Sequence, residues 1–368
     1  MKKKITAALF SLQSKSSIWI AEAMKKYFDE VDHFNIKKVE VSLTSKGTEV
    51  LYDGKPIKEY DCLHVKGSFR YVDLLRAISA QYEGKCFNPI EPNAYTIGND
   101  KLLTQIKLQP FNIPMPTTYL SPSTEAGKKI LEKIKYPIVM KLPSGTHGKG
   151  VMFADSFASA SSFLDALESL RQPFLIQEYL ETGGIDTRAI VIGDKVVASM
   201  QREAIEGEKR ANIHAGGKGK PVILDSHTKK LAVDAAKIIG AGIAAVDLLD
   251  SVKGPMIIEL NLSPGLQGIT AYTKIDVADK IAKYLFTKTT EFVANKAETG
   301  SKEVMKEINM PNGDKNIAHE VVTNIDFRGN RILLPEIVTK MTDFNETDEF
   351  VIKIKNNGLS IKRFDDPK

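Results

Sequence analysis

The chain has 368 residues, 42% of them hydrophobic and 26% charged, with a formal net charge of +5. That length holds two or three domains, and the ordinary composition excludes a disordered or collagen-like chain. No run of 18 apolar residues is present, which excludes a membrane-spanning helix, and the mild positive balance suits an anionic small-molecule substrate more than nucleic acid.

The opening "MKKKITAALFSL" has basic residues and then an apolar run of about eight residues, the short end of a signal-peptide core. It is followed by "SSIWIAEAMKKYF", a capped amphipathic pattern and not a cleavage site, so the pair is predicted to be a first strand and first helix. Strands are predicted in "KVEVSL", "TEVLYDG" and "YDCLHVKG", and a helix in "RYVDLLRAISAQYEG", giving an α/β unit over residues 1–95. Cys62 and Cys86 lack metal-ligand spacing and imply no disulfide framework, which fits a reducing, cytoplasmic compartment.

Residues 96–288 form the next block, with a helix predicted from near Asp100. "YPIVMKL" and "VMFAD" are strand-like around the loop "PSGTHGKG", "FASASSFLDALESL" is helical, and "PFLIQEYL" is a buried strand. "DTRAIVIGDKVVASMQRE" is a hairpin about a Gly-Asp turn, "SHTKKLAVDAAKIIG" a helix, and "IAAVDLLD" with "GPMIIELNLSPG" a second pair of strands. Residues 289–316 turn polar and are expected to be a linker with at most a short helix. Residues 317–368 hold a third, small module with strands in "HEVVTNID", "NRILLP", "EFVIKIK" and "LSIKRF". A helix is predicted in "EIVTKMTDF", and "NNG" forms a hairpin turn between the last two strands.

The chemistry concentrates in the middle block. Glycines of "PSGTHGKG" (Gly145, Gly148, Gly150) let backbone N–H groups converge on an anion, although an ordinary glycine-rich hairpin would read the same way. The loop lacks the ending that makes a Walker motif. Lys141 sits in an apolar strand, where a lysine needs an anionic partner or a path to solvent, and Lys101 could add a second cation. "LIQEYL" ends a buried strand with Gln177 and Glu178, which can meet an adenine edge and a ribose or simply reach the surface. Arg202 ends a strand, and Lys209, Arg210 and Asn212 follow in a basic loop able to neutralise a transferred phosphoryl group. Asp247 interrupts one apolar strand, and Glu259 and Asn261 interrupt the next on a single face. Paired, these strands make an oxygen-only site suited to Mg²⁺.

In order and spacing, "GNDKLLTQIKLQPFNIPMPTT", "VMKLPSGTHGKGV", "IQEYLETGGIDTRAIVIGDKVVASMQR", "KRANIHAGG" and "AAVDLL…PMIIELNLSPGLQGI" resemble the ATP-grasp superfamily, and within it the RimK-like carboxylate–amine ligases. The resemblance implies an α/β N-terminal domain, then an α+β ATP-grasp domain with a lid lobe over about 105–180 and a metal-bearing lobe over about 181–288. It implies ATP and two Mg²⁺ ions, with Mn²⁺ as a substitute. Lys101, Lys141 and the glycine loop would meet the nucleotide, with Glu178 and Tyr179 at the adenine hinge and Asp186 at the ribose. Lys209, Arg210 and Asn212 would lie toward the phosphoryl end, Asp247, Glu259 and Asn261 at the metals, and Arg202 at the acyl-phosphate step. Arg202, Arg210 and Lys141 are thus the expected catalytic cations.

The implied reaction adds an amino acid to a carboxylate-bearing small molecule, peptide or protein. "SPGLQG" resembles the glutamate-adding members, whereas Ala215 stands where those members commonly carry arginine. The C-terminal module resembles an AbrB-type swapped hairpin, which implies a mostly-β module in a homodimer or tetramer. Arg328, Arg331, Lys353, Lys355 and Lys362 are its candidate DNA contacts, and the favoured reading is that the module only dimerises the enzyme or docks a protein substrate. The alternative for the whole chain is a ligand-sensing DNA-binding regulator built on an ATP-grasp core. No membrane partner is expected.

Overall fold

The computed structural model describes residues 4–45, 47–143, 150–204, 218–307, 326–329, 331–333, 350–355 and 358–363. The chain divides into two compact units, Met1–Gly300 and Ser301–Lys368.

The first unit begins with β1 (Thr6–Ser11), α1 (Lys15–Met24), β2 (Glu30–Asn35), β3 (Val39–Thr44), β4 (Gly47–Tyr52), β5 (Lys55–Pro56), β6 (Cys62–Val65) and α2 (Val72–Gln81). Strands β2, β1 and β6 form a parallel sheet with β1 in the centre, and β3, β4 and β5 form a separate antiparallel one. α1 starts where the Ser14 hydroxyl accepts the Ser17 N–H at 3.4 Å. Its buried face, Ile20, Ala21 and Met24, packs on Ala7 and Leu9 of β1. β2 is absent from the sequence expectations because Asp32, His33 and Asn35 break its apolar pattern. It pairs with β1 in register all the same, Leu9 opposite His33. Cys62 and Cys86 are free and buried, and burial raises both thiols, Cys86 to about 12.

There follow α3 (Pro92–Gly98), α4 (Lys101–Leu108), β7 (Thr118–Leu120), α5 (Thr124–Leu131), β8 (Ile138–Lys141), β9 (Val151–Ala154), α6 (Phe157–Ser169) and β10 (Leu175–Glu178). As expected, α4 begins at Asp100, whose Oδ1 accepts the N–H groups of Leu102 and Leu103 at 2.8 and 2.9 Å. The antiparallel sheet β7-β10-β8-β9 packs Ile138, Met140 and Ile176 on Leu131 of α5 and Leu164 of α6.

The last layer holds β11 (Ile185–Ile192), β12 (Lys195–Glu203), β13 (Lys218–Pro221), α7 (Ser226–Ile239), β14 (Ile243–Ser251), β15 (Gly254–Asn261), α8 (Gln267–Thr273) and α9 (Val277–Glu307). Its sheet runs β13-β12-β11-β14-β15, antiparallel throughout. Ala189, Val191, Ala244 and Val246 point to one face, against Leu231, Ala235 and Ile239 of α7. Ile190, Ile192, Ala198, Met200 and Ala245 point to the other, against Ile269 of α8 and Val277, Ile281 and Leu285 of α9. This second face is apolar only where the helices cover it. Further along the same strands, at the same alternation, stand Asp186, Arg188, Arg202, Asp247 and Glu259.

α9 extends through much of the stretch expected to be a linker. Leu285 and Thr289 are fully buried, so the helix is anchored past residue 288. The polar run beyond is rich in alanine, glutamate and lysine, which favour helix without needing a partner surface. No helix among the described residues is long and apolar enough to cross a membrane.

In the second unit, β16 (Asp326–Arg328) pairs with β17 (Arg331–Leu333), and β18 (Phe350–Lys355) with β19 (Gly358–Arg363). In the latter hairpin Lys355 lies opposite Gly358, and Asn356 and Asn357 of the expected "NNG" turn lie outside the described residues. Most of "HEVVTNID" and all of "EIVTKMTDF" lie outside the described residues.

Candidate active site

Strand register builds the site. Asp186 faces Arg202 across β11–β12, Arg188 faces Asp247 across β11–β14, and Asp247 faces Glu259 across β14–β15. Cross-strand partners project to the same side of a sheet, so five charged side chains share one floor. Arg202 donates through Nε and Nη2 to the two oxygens of Asp186 at 2.6 and 2.7 Å. Arg188 makes the same fork onto Asp247, both bonds at 2.7 Å, and Arg202 Nη2 also lies 2.9 Å from Asp247 Oδ2. The result is an alternating chain, Asp186–Arg202–Asp247–Arg188. Arg202 and Asp247 are only 7% and 5% exposed, so these charges lean on one another and not on water. Burial acts to raise the Asp247 carboxyl, but the Arg188 and Arg202 guanidiniums outweigh it and hold the group well below the usual range. Asp186 moves up instead, because burial and the neighbouring Asp247 charge outweigh the pull of Arg202.

The four-stranded sheet supplies the facing side. Lys141, at the end of β8, donates to Gln177 Oε1 at 2.5 Å, and Gln177 Nε2 donates to Thr118 Oγ1 at 2.7 Å. The buried Gln177 amide therefore uses both ends to aim the lysine. Burial lowers the Lys141 ammonium to about 8, with the Glu259 charge pulling the other way and Lys101 adding to the fall. The charges acting on Lys141 place Lys101 and Glu259 in its neighbourhood. The Lys101 N–H bonds the Pro143 carbonyl at 3.0 Å, tying the start of α4 to the chain leaving β8. Gly150 closes the hairpin after the loop with φ of 78°, and a Cβ there would stand 2.8 Å from the Leu142 side chain.

Glu178 Oε1 accepts the Thr117 N–H at 3.1 Å, and Oε2 lies 3.6 Å from Lys253 Nζ. The Tyr179 ring stands edge-on to Phe153 at 6.0 Å. Glu178 is the last residue of β10, and Tyr179 opens the short connection that runs from it to β11. Gly145, Gly148, Lys209, Arg210 and Asn212 lie outside the described residues, as does Ala215. Arg188 is the residue that sequence reading missed. Its signal was present in "DTRAIVIG", where Asp186 and Arg188 share the strand parity that leads on to Ile190 and Ile192.

The donor set at β14–β15 fits a hard cation. Among the described residues no three of His, Cys, Asp and Glu gather in a metal-holding group, and the set offers two carboxylates and one amide. Asp247 Oδ2 accepts from both arginines, whereas Oδ1 accepts from Arg188 alone and keeps a lone pair. Asn261 Oδ1 accepts the Ser263 N–H at 2.9 Å and likewise keeps one. Glu259 makes no hydrogen bond or ion pair among the described residues, so both its oxygens remain for a cation.

The family model described as a RimK-like ATP-grasp domain matches residues 98–285. A Vibrio cholerae protein named "Probable alpha-L-glutamate ligase" is 35% identical over 269 residues, covering 72% of this chain and 89% of its own. One of the same name from Thioalkalivibrio sulfidiphilus is 36% identical with the same coverage. Among solved structures, the ATP-grasp ligase PsnB complexed with minimal precursor, Mg and ADP superposes with a TM-score of 0.61. It is 17% identical, over 77% of this chain and 98% of that one, a likeness of fold.

Proposed function

The chain belongs to the RimK-like ATP-grasp family and is an ATP-dependent carboxylate–amine ligase, and from that premise we propose that it joins L-glutamate to the free carboxylate of a peptide or small acid. The observation that carries the reading is the floor of Asp247, Glu259 and Asn261 opposed by the buried Lys141. The names of the curated relatives support glutamate as the amine, and the precursor-bound PsnB structure supports a peptide as acceptor.

In the proposed reaction an acceptor carboxylate oxygen attacks the γ-phosphorus of ATP. The bond to the β–γ bridging oxygen breaks, and ADP leaves with that electron pair. The amino group of glutamate then adds to the acyl carbon, loses a proton, and the tetrahedral adduct expels phosphate to leave an amide. Asp247, Glu259 and Asn261 would hold Mg²⁺, which neutralises phosphate charge when bound. Lys141 and Lys101 present positive charge toward the phosphates, and Gln177 fixes where Lys141 points. Glu178 and Tyr179 suit the hinge that meets the nucleoside, and Gly150 the lid hairpin. Arg202 keeps Asp247 ionised and oriented, and Arg210 is assigned with Lys209 and Asn212 to the phosphoryl end.

The second unit is assigned to pairing of chains, not to DNA. Its hairpins expose Leu333, Val351 and Ile352, and two-stranded hairpins cannot bury such residues alone. The two buried thiols suit a reducing, cytoplasmic setting. The test is coupled ADP release over a panel of amino acids, with L-glutamyl-L-glutamate as acceptor and mass spectrometry of the product. Glutamate-dependent ADP release with growth by one glutamyl residue is expected. ADP release stimulated by another amino acid but not by glutamate would overturn the substrate assignment.

A further inference from the structure

Beyond the site described, a buried cation has no counter-charge among the described residues. Lys66 follows β6 and is 5% exposed. Its backbone N–H bonds the Phe10 carbonyl at 2.9 Å, which sets it beside Ser11 at the C-terminal edge of the parallel sheet. Among the described residues its ammonium makes no hydrogen bond and no ion pair. Burial alone acts on it, lowering it to about 8, with no carboxylate opposing the fall.

The described groups facing it add no negative charge. His33 on β2 and His64 on β6 both register opposite Leu9. Burial lowers each imidazole and the Lys66 charge lowers it further, with Lys25 also lowering His33 and Glu22 opposing. Both are therefore neutral near pH 7. His33 Nε2 is held by the Ser11 hydroxyl at 2.7 Å, and His64 Nδ1 is buried without a hydrogen-bond partner. The N-terminus of α1 begins at the same edge with no acid in its first turn, so the positive end of its helix dipole adds positive potential. An ammonium buried among neutral and positive groups is costly unless an anion arrives.

The edge also belongs to the reaction cleft. The Gly67 N–H donates to Ser263 Oγ at 2.9 Å, so the residue next to Lys66 grips the loop that follows Asn261. Ser16, in the first turn of α1, holds the far end of that loop: its hydroxyl accepts the Leu266 N–H at 2.8 Å and donates to Gln267 Oε1 at 2.7 Å. Lys66 thus stands where the N-terminal sheet meets the chain leaving the Glu259–Asn261 strand.

We propose that Lys66, at this junction, is the receptor for a substrate carboxylate that does not react. The proposal rests on the ligase reading for its substrate. L-Glutamate brings two such carboxylates and a glutamyl peptide acceptor brings others. The same chemistry can therefore come from the amine or the acceptor, and Lys66 selects for whichever places its spare carboxylate at the sheet edge.

The test uses the full-length protein with Lys66→Met and Lys66→Arg, and L-glutamate and L-glutamyl-L-glutamate as probes. In the ADP-release assay Lys66→Met is expected to raise KM for one probe by about 10- to 100-fold, the range of a lost charged hydrogen bond, with KM for ATP and kcat little changed. Lys66→Arg restores much of it. A rise for glutamate assigns the carboxylate to the amine, and a rise for the dipeptide assigns it to the acceptor. Without ligand, the melting temperature of Lys66→Met should equal or exceed that of the wild type, since an unpaired charge has been removed.

Ligand-induced thermal shifts read the receptor without turnover. A wild-type shift with either probe that vanishes in Lys66→Met, in an enzyme releasing no ADP, would keep the receptor and sink the ligase reading. The proposal is overturned by unchanged KM for both probes, by no wild-type shift with either, or by a Lys66→Met variant that melts well below the wild type.

Discussion

The molecule treats its buried cations in two ways. Arg188 and Arg202 each meet carboxylates in forked bonds of 2.6–2.7 Å, so their charges are fully answered inside the protein. The Lys66 ammonium has no partner among the described residues, and among them the Lys141 ammonium hydrogen-bonds only a neutral one, the Gln177 amide. Both lysines lie low, at about 8, and burial is the first cause in each. Forked, always-charged guanidiniums suit permanent pairing, whereas a lysine on a flexible stem suits a charge that substrate brings and removes. The paired cations set the geometry of the floor, and the unpaired ones wait for anions.

The sharpest way to break that contrast is to empty the paired set. Arg202→Met would leave Asp186 buried without its guanidinium beside the like-charged Asp247, which keeps only Arg188. A loss of about 3–5 kcal/mol is expected in urea unfolding, as for other buried pairs cut on one side, along with turnover. Removing the acid too, in Asp186→Leu with Arg202→Met, should recover part of that stability but not activity. A single variant as stable as the wild type would show that the chain of charges does not hold the floor.

Glu259→Gln probes the floor without touching the paired set. Having no hydrogen bond of its own among the described residues, Glu259 should be replaceable with little change in melting temperature. Turnover should fall by about 100- to 1,000-fold, the usual effect of losing a group that stabilises transition-state charge. Near-normal kcat in that variant would remove the metal assignment. Asp247→Asn should differ by failing in stability first, because Asp247 answers two arginines.

Lys141 gives a pH signature that the arginines cannot. Its folded pKa is lowered, so the ammonium is present below about 8 and lost above it. Phosphate binding needs the charged form. ADP affinity measured by calorimetry should therefore weaken as pH rises through 8, by up to about tenfold per unit. Lys141→Arg should flatten the profile over the same range. If the wild-type affinity is flat from pH 7 to 9, Lys141 is not a phosphate ligand.

The contrast also explains what could be read from the chain alone. Asp247, Glu259 and Asn261 were legible because a polar residue inside an apolar strand is anomalous at any register, and Lys141 was legible for the same reason. Arg188 was not, because its meaning depends on which strand lies beside β11, a fact that appears only once Asp247 stands opposite. Lys66 was hidden too: "YDCLHVKG" predicts a strand correctly but cannot say that the lysine at its end is covered. β2 shows the same limit, since Glu30–Asn35 is a strand by virtue of its pairing with β1 and not of its own pattern. The extent of α9 depends on Leu285 and Thr289 finding a surface, which polarity alone could not predict.

The smallest expected effect concerns the second unit, and it separates site from assembly. The matched family region ends at residue 285, and every described residue of the charged floor and its facing side lies in the first unit. Domains with their own cores tolerate loss of a neighbour across a linker. A chain ending after Glu307 keeps the whole of α9 and should retain kcat/KM within about twofold, the independence expected of a separate compact unit. Light scattering should report a change of mass, from an even-numbered assembly to single chains, because the exposed Leu333, Val351 and Ile352 would be gone. Unchanged mass would remove pairing as the role of the hairpins. A large loss of activity with mass reduced would mean that the paired chain completes the cleft, and the boundary between site and assembly would have to be redrawn.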